Sequence, residues 1–329
     1  MDEKVDILLA TYNGERYLKE QLDSILNQTY KNIRIIISDD CSKDGTRDIL
    51  KEYEKNENIK VYYQENNLGY VKNFEFLLSK VQSDIYMLSD QDDIWKEEKV
   101  EKSVEKLKEG NFDLVFGDLE VVDENLNTIQ KSYNTYMHLM HRINTCIKDY
   151  RLQYLYNCMT GCTIIAKKDF LQKVLPFPTD SKYLIHDYWL GLITSIYGKV
   201  GYLSTPYILY RQHTDNQVGI SKASHKFKKL GQVRELSLEI KLGIFETYLK
   251  HEEVFPEDLR KQNRQAYDYF KMLETKKYIN FKGWGTFNKI FKGESVYKYL
   301  ENFMTLNMPI ILSPFFKLRY LILKILGKR

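Results

Sequence analysis

At 329 residues and 39.3 kDa the chain can bury a core and sits at the upper end of what one domain holds, so the expectation is a catalytic domain with an appendage. Hydrophobic residues at 43%, charged residues at 29%, a mean hydropathy of -0.47 and only six prolines exclude both a membrane-embedded bundle and a disordered chain. The net charge of +4 conceals an asymmetry, because residues 221–329 carry 22 Lys and Arg against 11 Asp and Glu and so leave residues 1–220 net acidic. An acidic front part suits a divalent cation and a basic back part suits a phosphate-rich surface.

The N-terminus runs from Met1-Asp2-Glu3-Lys4 into Val5-Asp6-Ile7-Leu8-Leu9 without a basic segment, a long apolar stretch and a cleavage site. The four cysteines, Cys41, Cys146, Cys158 and Cys162, form neither a disulfide framework nor a zinc site, since the Cys158/Cys162 pair has no second ligand pair. A reduced cytosolic protein is expected.

Along the first hundred residues, short β-type runs alternate with helical patterns, the arrangement of βαβ units on a mostly parallel sheet. Val5–Leu9 is the first strand, and apolar positions at Tyr17, Leu18, Leu22, Ile25 and Leu26 predict a helix over 15–27. Ile33–Ser38 is the second strand, and Asp44-Gly45-Thr46 opens the next helix. Ile59–Tyr63 is a third strand, Val71–Lys80 a third helix, and Ile85–Leu88 a fourth strand that stops at Ser89-Asp90-Gln91-Asp92-Asp93. Farther on, Leu114–Val122 and Thr163–Ala166 read as strands, Tyr188–Tyr197 as helix and Tyr207–Tyr210 as strand. Lys131–Tyr150 has no clear periodicity and reads as a connection. Beyond Ser221 the pattern is basic and helical, which sets a boundary near 220: a catalytic domain over 1–220 and a basic helical region over 221–329.

Ligands of open α/β sheets gather beyond the carboxyl ends of the strands, and here those ends carry Thr11-Tyr12-Asn13, Asp39-Asp40 and Asp90 to Asp93. Three carboxylates within four residues repel one another and call for water or a cation. The plain reading is a solvated acidic turn. The sharper one is an oxygen-ligand site for Mg²⁺ or Mn²⁺, completed by substrate phosphates. Asp39-Asp40 admits both a structural role and acceptance of a pyrimidine N–H, and Asn66-Asn67-Leu68-Gly69 reads as a turn, with ligand contact an equal alternative. His186-Asp187-Tyr188-Trp189 starts a helix, where an aspartate is ordinarily a cap. Arg211-Gln212-His213 follows a strand, where a lone histidine is ordinarily structural.

The whole of Val5 to about Gly219 resembles the family 2 inverting glycosyltransferases of the GT-A fold. The string ILLATYNGERYLKEQLDSILNQTYKNIRIIISDDCSKDGT, residues 7–46, is similar to that family's N-terminal signature, with Cys41 in place of a usual glycine. LSDQDDIW at 88–95 resembles the branch of bacterial rhamnosyltransferases and related capsule or cell-wall enzymes, and HDYW at 186–189 and YRQH at 210–213 sit where that branch carries its base and its late histidine. The resemblance implies a Rossmann-like, mostly parallel sheet flanked by helices; the basic C-terminal helical extension beyond 220 lies outside it. It implies Tyr12 on the pyrimidine framed by Thr11 and Asn13, and Asp40 with Asp39 at the base. Asp90 would meet ribose or metal, Asp92 the metal, His213 the diphosphate or metal, and Asp187 would be the general base, with Asp93, His186, Trp189 and Arg211 as further candidates.

The implied partners are a nucleotide-sugar donor, dTDP-rhamnose first and a UDP-hexose as the alternative, and a glycan or lipid-linked acceptor, with no nucleic acid. A nucleotidyltransferase is the competing enzyme, but Thr11 to Glu15 is not a glycine-rich basic phosphate loop. A non-catalytic glycan or membrane adaptor is the competing non-enzyme, opposed by intact carboxylates in every motif. The absence of Q-x-x-R-W disfavours a processive synthase. The tail at 309–329 reads either as a helix packed on the protein or as one lying on the cytoplasmic face of the membrane, and a homo-oligomer stays open.

Overall fold

The computed structural model describes residues 3–137, 156–181, 183–214 and 230–275, with a few isolated positions besides. The chain divides into two compact units, Met1–Thr179 with Ile185–Ala223, and Asp180–Leu184 with Ser224–Arg329.

The first unit begins with β1 (Val5–Thr11), α1 (Leu18–Leu26), β2 (Ile33–Asp39), α2 (Thr46–Tyr53), β3 (Ile59–Tyr63), α3 (Tyr70–Ser79) and β4 (Ile85–Ser89). These are the alternating elements that the apolar runs predict. After β4 come β5 (Ile94–Trp95), α4 (Lys99–Glu109), β6 (Leu114–Gly117), β7 (Glu120–Val122), β8 (Thr128–Gln130), β9 (Ile165–Lys167), α5 (His186–Tyr197), β10 (Val200–Leu203) and β11 (Ile208–Arg211). The large sheet has the order β10-β6-β9-β4-β1-β2-β3, parallel except for β9, which runs against β4 and β6. A smaller sheet has the order β5-β11-β7-β8.

Both faces of the large sheet are covered, which is why its central strands read as continuous rather than alternating apolar runs. In β1, Val5, Ile7, Leu8 and Leu9 are fully buried, and Leu18, Leu22 and Ile25 of α1 pack into the same core as Ile35 and Ile37 of β2. The chain moves outward from β1 to β2 and β3, then returns to place β4 on the other side of β1. The carboxyl ends of β1 and β4 therefore flank a topological switch point, where loops diverge and open a crevice.

The stretch read as one strand over Leu114–Val122 is two strands in two sheets. Asp118 breaks it, its carboxylate accepting from the backbone N–H of Leu119 at 2.8 Å and of Asn134 at 3.0 Å, and β7 leaves for the small sheet. Residues Gly161–Thr163 form a 3-10 turn, so the strand expected at Thr163 starts at Ile165. Within 131–150, Tyr133–Tyr136 form a helical turn capped by Ser132, and much of the remainder lies outside the described residues. Helix α4, with Val100, Val104 and Leu107 buried along one stripe, was not read from the sequence.

In the second unit, α6 (Leu230–Lys250) and α7 (Glu257–Thr275) meet through Phe245 and Phe270, whose rings are 5.5 Å apart. The tail at 309–329 lies outside the described residues. Among the described residues no helix is long and apolar enough to cross a membrane.

Candidate active site

Two loops at the carboxyl ends of β1 and β2 are sewn together. Asn13 stands at a left-handed φ of 47°, its backbone N–H donating to Ser42 Oγ at 2.9 Å while its Oδ1 accepts from the Lys43 N–H at 2.8 Å. Gly14 N–H donates to Thr46 Oγ1 at 2.7 Å. Cys41 is also left-handed, at φ 64°, a conformation that glycine adopts at no steric cost. Asp39 is fully buried and accepts from Ser42 N–H at 3.1 Å, Arg47 Nε at 2.7 Å and the inward-turned Thr11 hydroxyl at 3.3 Å. Asp40, 2% exposed, accepts from the Leu68 N–H at 2.6 Å and the Gly69 N–H at 2.9 Å. The Asn66–Gly69 turn thus closes onto Asp40, with Gly69 at φ 80° where a side chain would be strained. Both acids anchor loops, the structural one of the two roles that the sequence left open. Beside them Tyr12 presents a 45% exposed ring.

The acidic loop after β4 is joined to this pair by Gln91, whose amide accepts from Tyr12 N–H at 2.9 Å and donates to Tyr12 C=O at 3.0 Å. A Cβ on Gly14 would lie 2.3 Å from Gln91 Oε1, so the glycine makes room for that amide. From the other side Gln21 of α1 donates to Ser89 Oγ at 2.8 Å and Asp90 C=O at 3.1 Å. Arg211, 2% exposed at the end of β11, donates to the carbonyls of Asp92 at 3.0 Å and Glu124 at 2.8 Å, pairs with Glu20, and covers the Tyr17 ring at 4.5 Å. It is a clamp on the loop. His213 Nε2 meets Asp92 Oδ2 at 2.9 Å, so the residues assigned by resemblance to the metal and diphosphate are in contact.

The three aspartates of the loop differ. Burial, followed by the charges of Asp92 and Asp187, pushes the Asp90 carboxyl up to about 7. Asp93 is fully buried and raised well above the usual carboxylate range, by burial first and then by Asp92 and Asp90. Its Oδ1 accepts from the Arg211 N–H at 3.3 Å, whereas its Oδ2 has no hydrogen-bond partner. Asp90, Asp93 and Cys162 each offer a ligand atom, all within 4.8 Å of one another. The thiol is a soft ligand, and burial holds it neutral by pushing its pKa well up. The oxygen donors that could hold a hard cation are the carboxylates of Asp90 and Asp92, with His213 adjoining Asp92. Asp6 at the far end of β1 makes the contrast: equally buried, it is paired with Arg34 at 2.6 Å and accepts from Gln82 N–H at 2.8 Å, Ser83 N–H at 3.0 Å and Ser83 Oγ at 2.7 Å. Its purpose is structural.

Helix α5 brings in Asp187. The N-cap is Ile185, and no side chain caps the helix. Asp187 accepts across the chain as well, its Oδ1 from Asn157 Nδ2 at 2.9 Å and its Oδ2 from Gly161 N–H at 3.0 Å. Burial raises its carboxyl to about 6, opposed by hydrogen bonds from the Tyr188 and Gly161 N–H groups and from Asn157. Its charge is among those that push the Asp90 carboxyl up. His186 stacks on Phe74 at 4.1 Å, both its ring nitrogens lack partners, and burial drops it to about 3. Trp189 is not brought to the site: 1% exposed, it donates its indole N–H to Val174 C=O at 2.9 Å. Sequence reading missed Gln91, Asn157 and Gly161, which carry no local chemical signature.

The profile of Glycosyl transferase family 2 matches residues 6–175. The chain is 31% identical over 240 residues to the dTDP-rhamnosyl transferase RfbG of Shigella flexneri, a match covering 69% of this chain and 79% of that protein. It is 40% identical over 106 residues to the putative teichuronic acid biosynthesis glycosyltransferase TuaG of Bacillus subtilis, covering 32% of this chain but only 42% of the relative. Among solved structures, S. aureus TarS 1-349 in complex with UDP superposes with a TM-score of 0.54 at 17% identity, over 91% of this chain and 83% of that one. That likeness concerns the fold, the GT-A arrangement of a mostly parallel sheet with helices on both faces. With a family profile spanning half its length and a relative matched along most of its own, the chain belongs to glycosyl transferase family 2.

Proposed function

We propose that this protein transfers a sugar, L-rhamnose from dTDP-rhamnose, to a hydroxyl of a lipid-linked cell-wall or capsular glycan intermediate, with inversion at the anomeric carbon and with Asp187 as general base. The observation that carries the reading is the Asp187 carboxylate: buried, raised to about 6, and oriented by Asn157 and Gly161. A base poised near neutrality can take a hydroxyl proton and still be ionised at working pH. The donor choice is supported by the name of RfbG and the acceptor class by that of TuaG.

In the reaction, Asp187 accepts the proton of the acceptor hydroxyl as the oxygen forms its bond to the anomeric carbon. The bond from that carbon to the diphosphate oxygen breaks, and the nucleoside diphosphate leaves with the electron pair. Gly161 N–H and Asn157 fix the direction of the carboxylate, so little reorganisation accompanies proton removal. Asp90 and Asp92, with His213 adjoining, would hold Mg²⁺ or Mn²⁺, which when bound would supply positive charge to stabilise the departing diphosphate. Tyr12 offers a face for the pyrimidine, and Gln91 ties that face to the acidic loop. The basic region over 221–329 is proposed to approach the cytoplasmic membrane face, where a lipid-linked acceptor is held.

Nucleotide release measured across a panel of nucleotide sugars tests the reading. dTDP-rhamnose is expected to be consumed faster than UDP-glucose or UDP-galactose. A UDP-hexose that wins by more than about tenfold, a preference of the size one mismatched contact produces, replaces the rhamnosyl assignment while the class stands.

A further inference from the structure

Helix α3 starts with an aromatic ring that the fold holds still and leaves open. Tyr70 is its first residue and is 46% exposed. Just before it, the N–H groups of Leu68 and Gly69 donate to Asp40, and just after it the buried Asn73 donates its side-chain amide to Ser38 C=O at 3.0 Å. A lone exposed tyrosine is ordinary. One whose backbone is pinned on both sides has already lost freedom that binding would otherwise cost.

The ring also borders the base. Phe74, one turn on along the same face of α3, stacks on His186 with centroids 4.1 Å apart, and Tyr70 meets the same imidazole edge-on at 6.1 Å. His186 precedes Asp187 at the start of α5. Gly161 lies against both: a Cβ there would stand 2.9 Å from His186 Nε2 and 3.5 Å from Asp187 Oδ2. One ring therefore separates Tyr70 from the residue that holds the carboxylate in place.

In an inverting displacement the entering oxygen approaches opposite the departing diphosphate, so groups beside the base meet the acceptor rather than the nucleotide. We propose that Tyr70 is the acceptor platform, a fixed aromatic face on which a pyranose ring of the acceptor stacks while its reacting hydroxyl points to Asp187. A pyranose offers a flat patch of C–H groups to such a face and hydroxyls at its rim. An open-chain polyol offers no flat face and must be ordered on binding. The acceptor class follows: a glycan presenting a pyranose, not a polyol phosphate chain. This inference rests on the function proposed above, with Asp187 as the base.

Saturation-transfer NMR on the full chain, with a panel of methyl hexopyranosides and with ribitol as the open-chain probe, tests the proposal. Wild type is expected to bind at least one pyranoside and to bind ribitol more weakly by about tenfold. Tyr70→Ala should weaken the bound pyranoside about tenfold, and Tyr70→Phe, which keeps the face, should stay within about threefold of wild type. Melting temperature, and affinity for dTDP and UDP by calorimetry, should be little changed in both variants, since the ring is exposed and lies on the acceptor side. No pyranoside bound by wild type, ribitol bound as tightly, wild-type affinity in Tyr70→Ala, or a loss in Tyr70→Ala that falls equally on the nucleotides would overturn the platform. The base is judged separately, by turnover of Asp187→Asn. Transfer at near wild-type rate in that variant removes the mechanism, and pyranoside binding still decides Tyr70.

Discussion

Replacing Asp187 by asparagine separates its chemistry from its structural contribution. The substitution keeps the shape, but an amide presents one acceptor and one donor where the carboxylate presents two acceptors. With its oxygen toward Gly161 N–H, its amino group would face Asn157 Nδ2, donor against donor. Asn157 cannot turn over freely, because its Oδ1 already accepts from Met159 N–H at 3.1 Å and Gln153 Nε2 at 3.3 Å. One hydrogen bond is lost and one donor left poorly placed, a cost of about 2 kcal/mol. Against this, the wild-type carboxyl is raised from 3.8 to about 6 by burial, so keeping it ionised in the folded state costs about 3 kcal/mol that an amide avoids. The two effects nearly cancel above pH 6, and the melting temperature is expected to stay within roughly 4 °C of wild type.

The sign of the pH dependence follows. Because the folded-state value lies above the unfolded one, the folded protein holds the extra proton between about pH 4 and 6, and wild type loses stability relative to the variant as pH rises through that window. Turnover has the opposite sense: the base must be ionised, so activity rises with pH through about 6. Asp187→Asn should lower kcat by about 10²- to 10⁴-fold, abolish that acid limb, and leave nucleotide binding by calorimetry within a few-fold of wild type. Transfer at near wild-type rate, or a residual activity with the same limb near pH 6, would refute the assignment.

Three further outcomes follow from the same geometry. Asp92→Ala, or excess chelator on wild type, should remove most nucleotide release, and full activity in chelator would exclude the metal role. Gln91→Glu replaces the amide donor facing Tyr12 C=O with a second acceptor, so nucleotide affinity measured by calorimetry should fall by about tenfold, the equivalent of one lost hydrogen bond, with melting little changed at this exposed position; unchanged affinity would mean that the two loops are held independently. Cys41→Gly relieves a left-handed residue and should raise stability by about 1 kcal/mol or less, readable as a small upward shift in melting temperature, since the Cys41 Sγ contact to Glu65 C=O at 3.3 Å is lost in exchange; a drop would show that this contact outweighs the strain.

Much of the fold was written in local pattern. The runs at Val5, Ile33, Ile59 and Ile85 fix strands because their length and apolar continuity suit a sheet covered on both faces, and carboxylates at their ends fix where chemistry gathers, since strand ends in such sheets converge. The reaction class was legible through resemblance, because the strings at 7–46, 88–95, 186–189 and 210–213 are together similar to those of one family. What the sequence could not decide were properties that exist only between segments. Leu114–Val122 reads as one strand until Asp118 finds the N–H groups of Leu119 and Asn134. Asp187 reads as a helix cap in the sequence, and only the fold brings Asn157 and Gly161, 30 and 26 residues away, to donate to its two oxygens. Asp90, Asp92 and Asp93 are equivalent as letters, and only burial separates Asp93, fully enclosed near Cys162, from Asp92, partly exposed and in contact with His213. Sequence specifies which groups are present, but the cost of a charge depends on the water it has lost and the charges it has gained, and both are set by the tertiary fold.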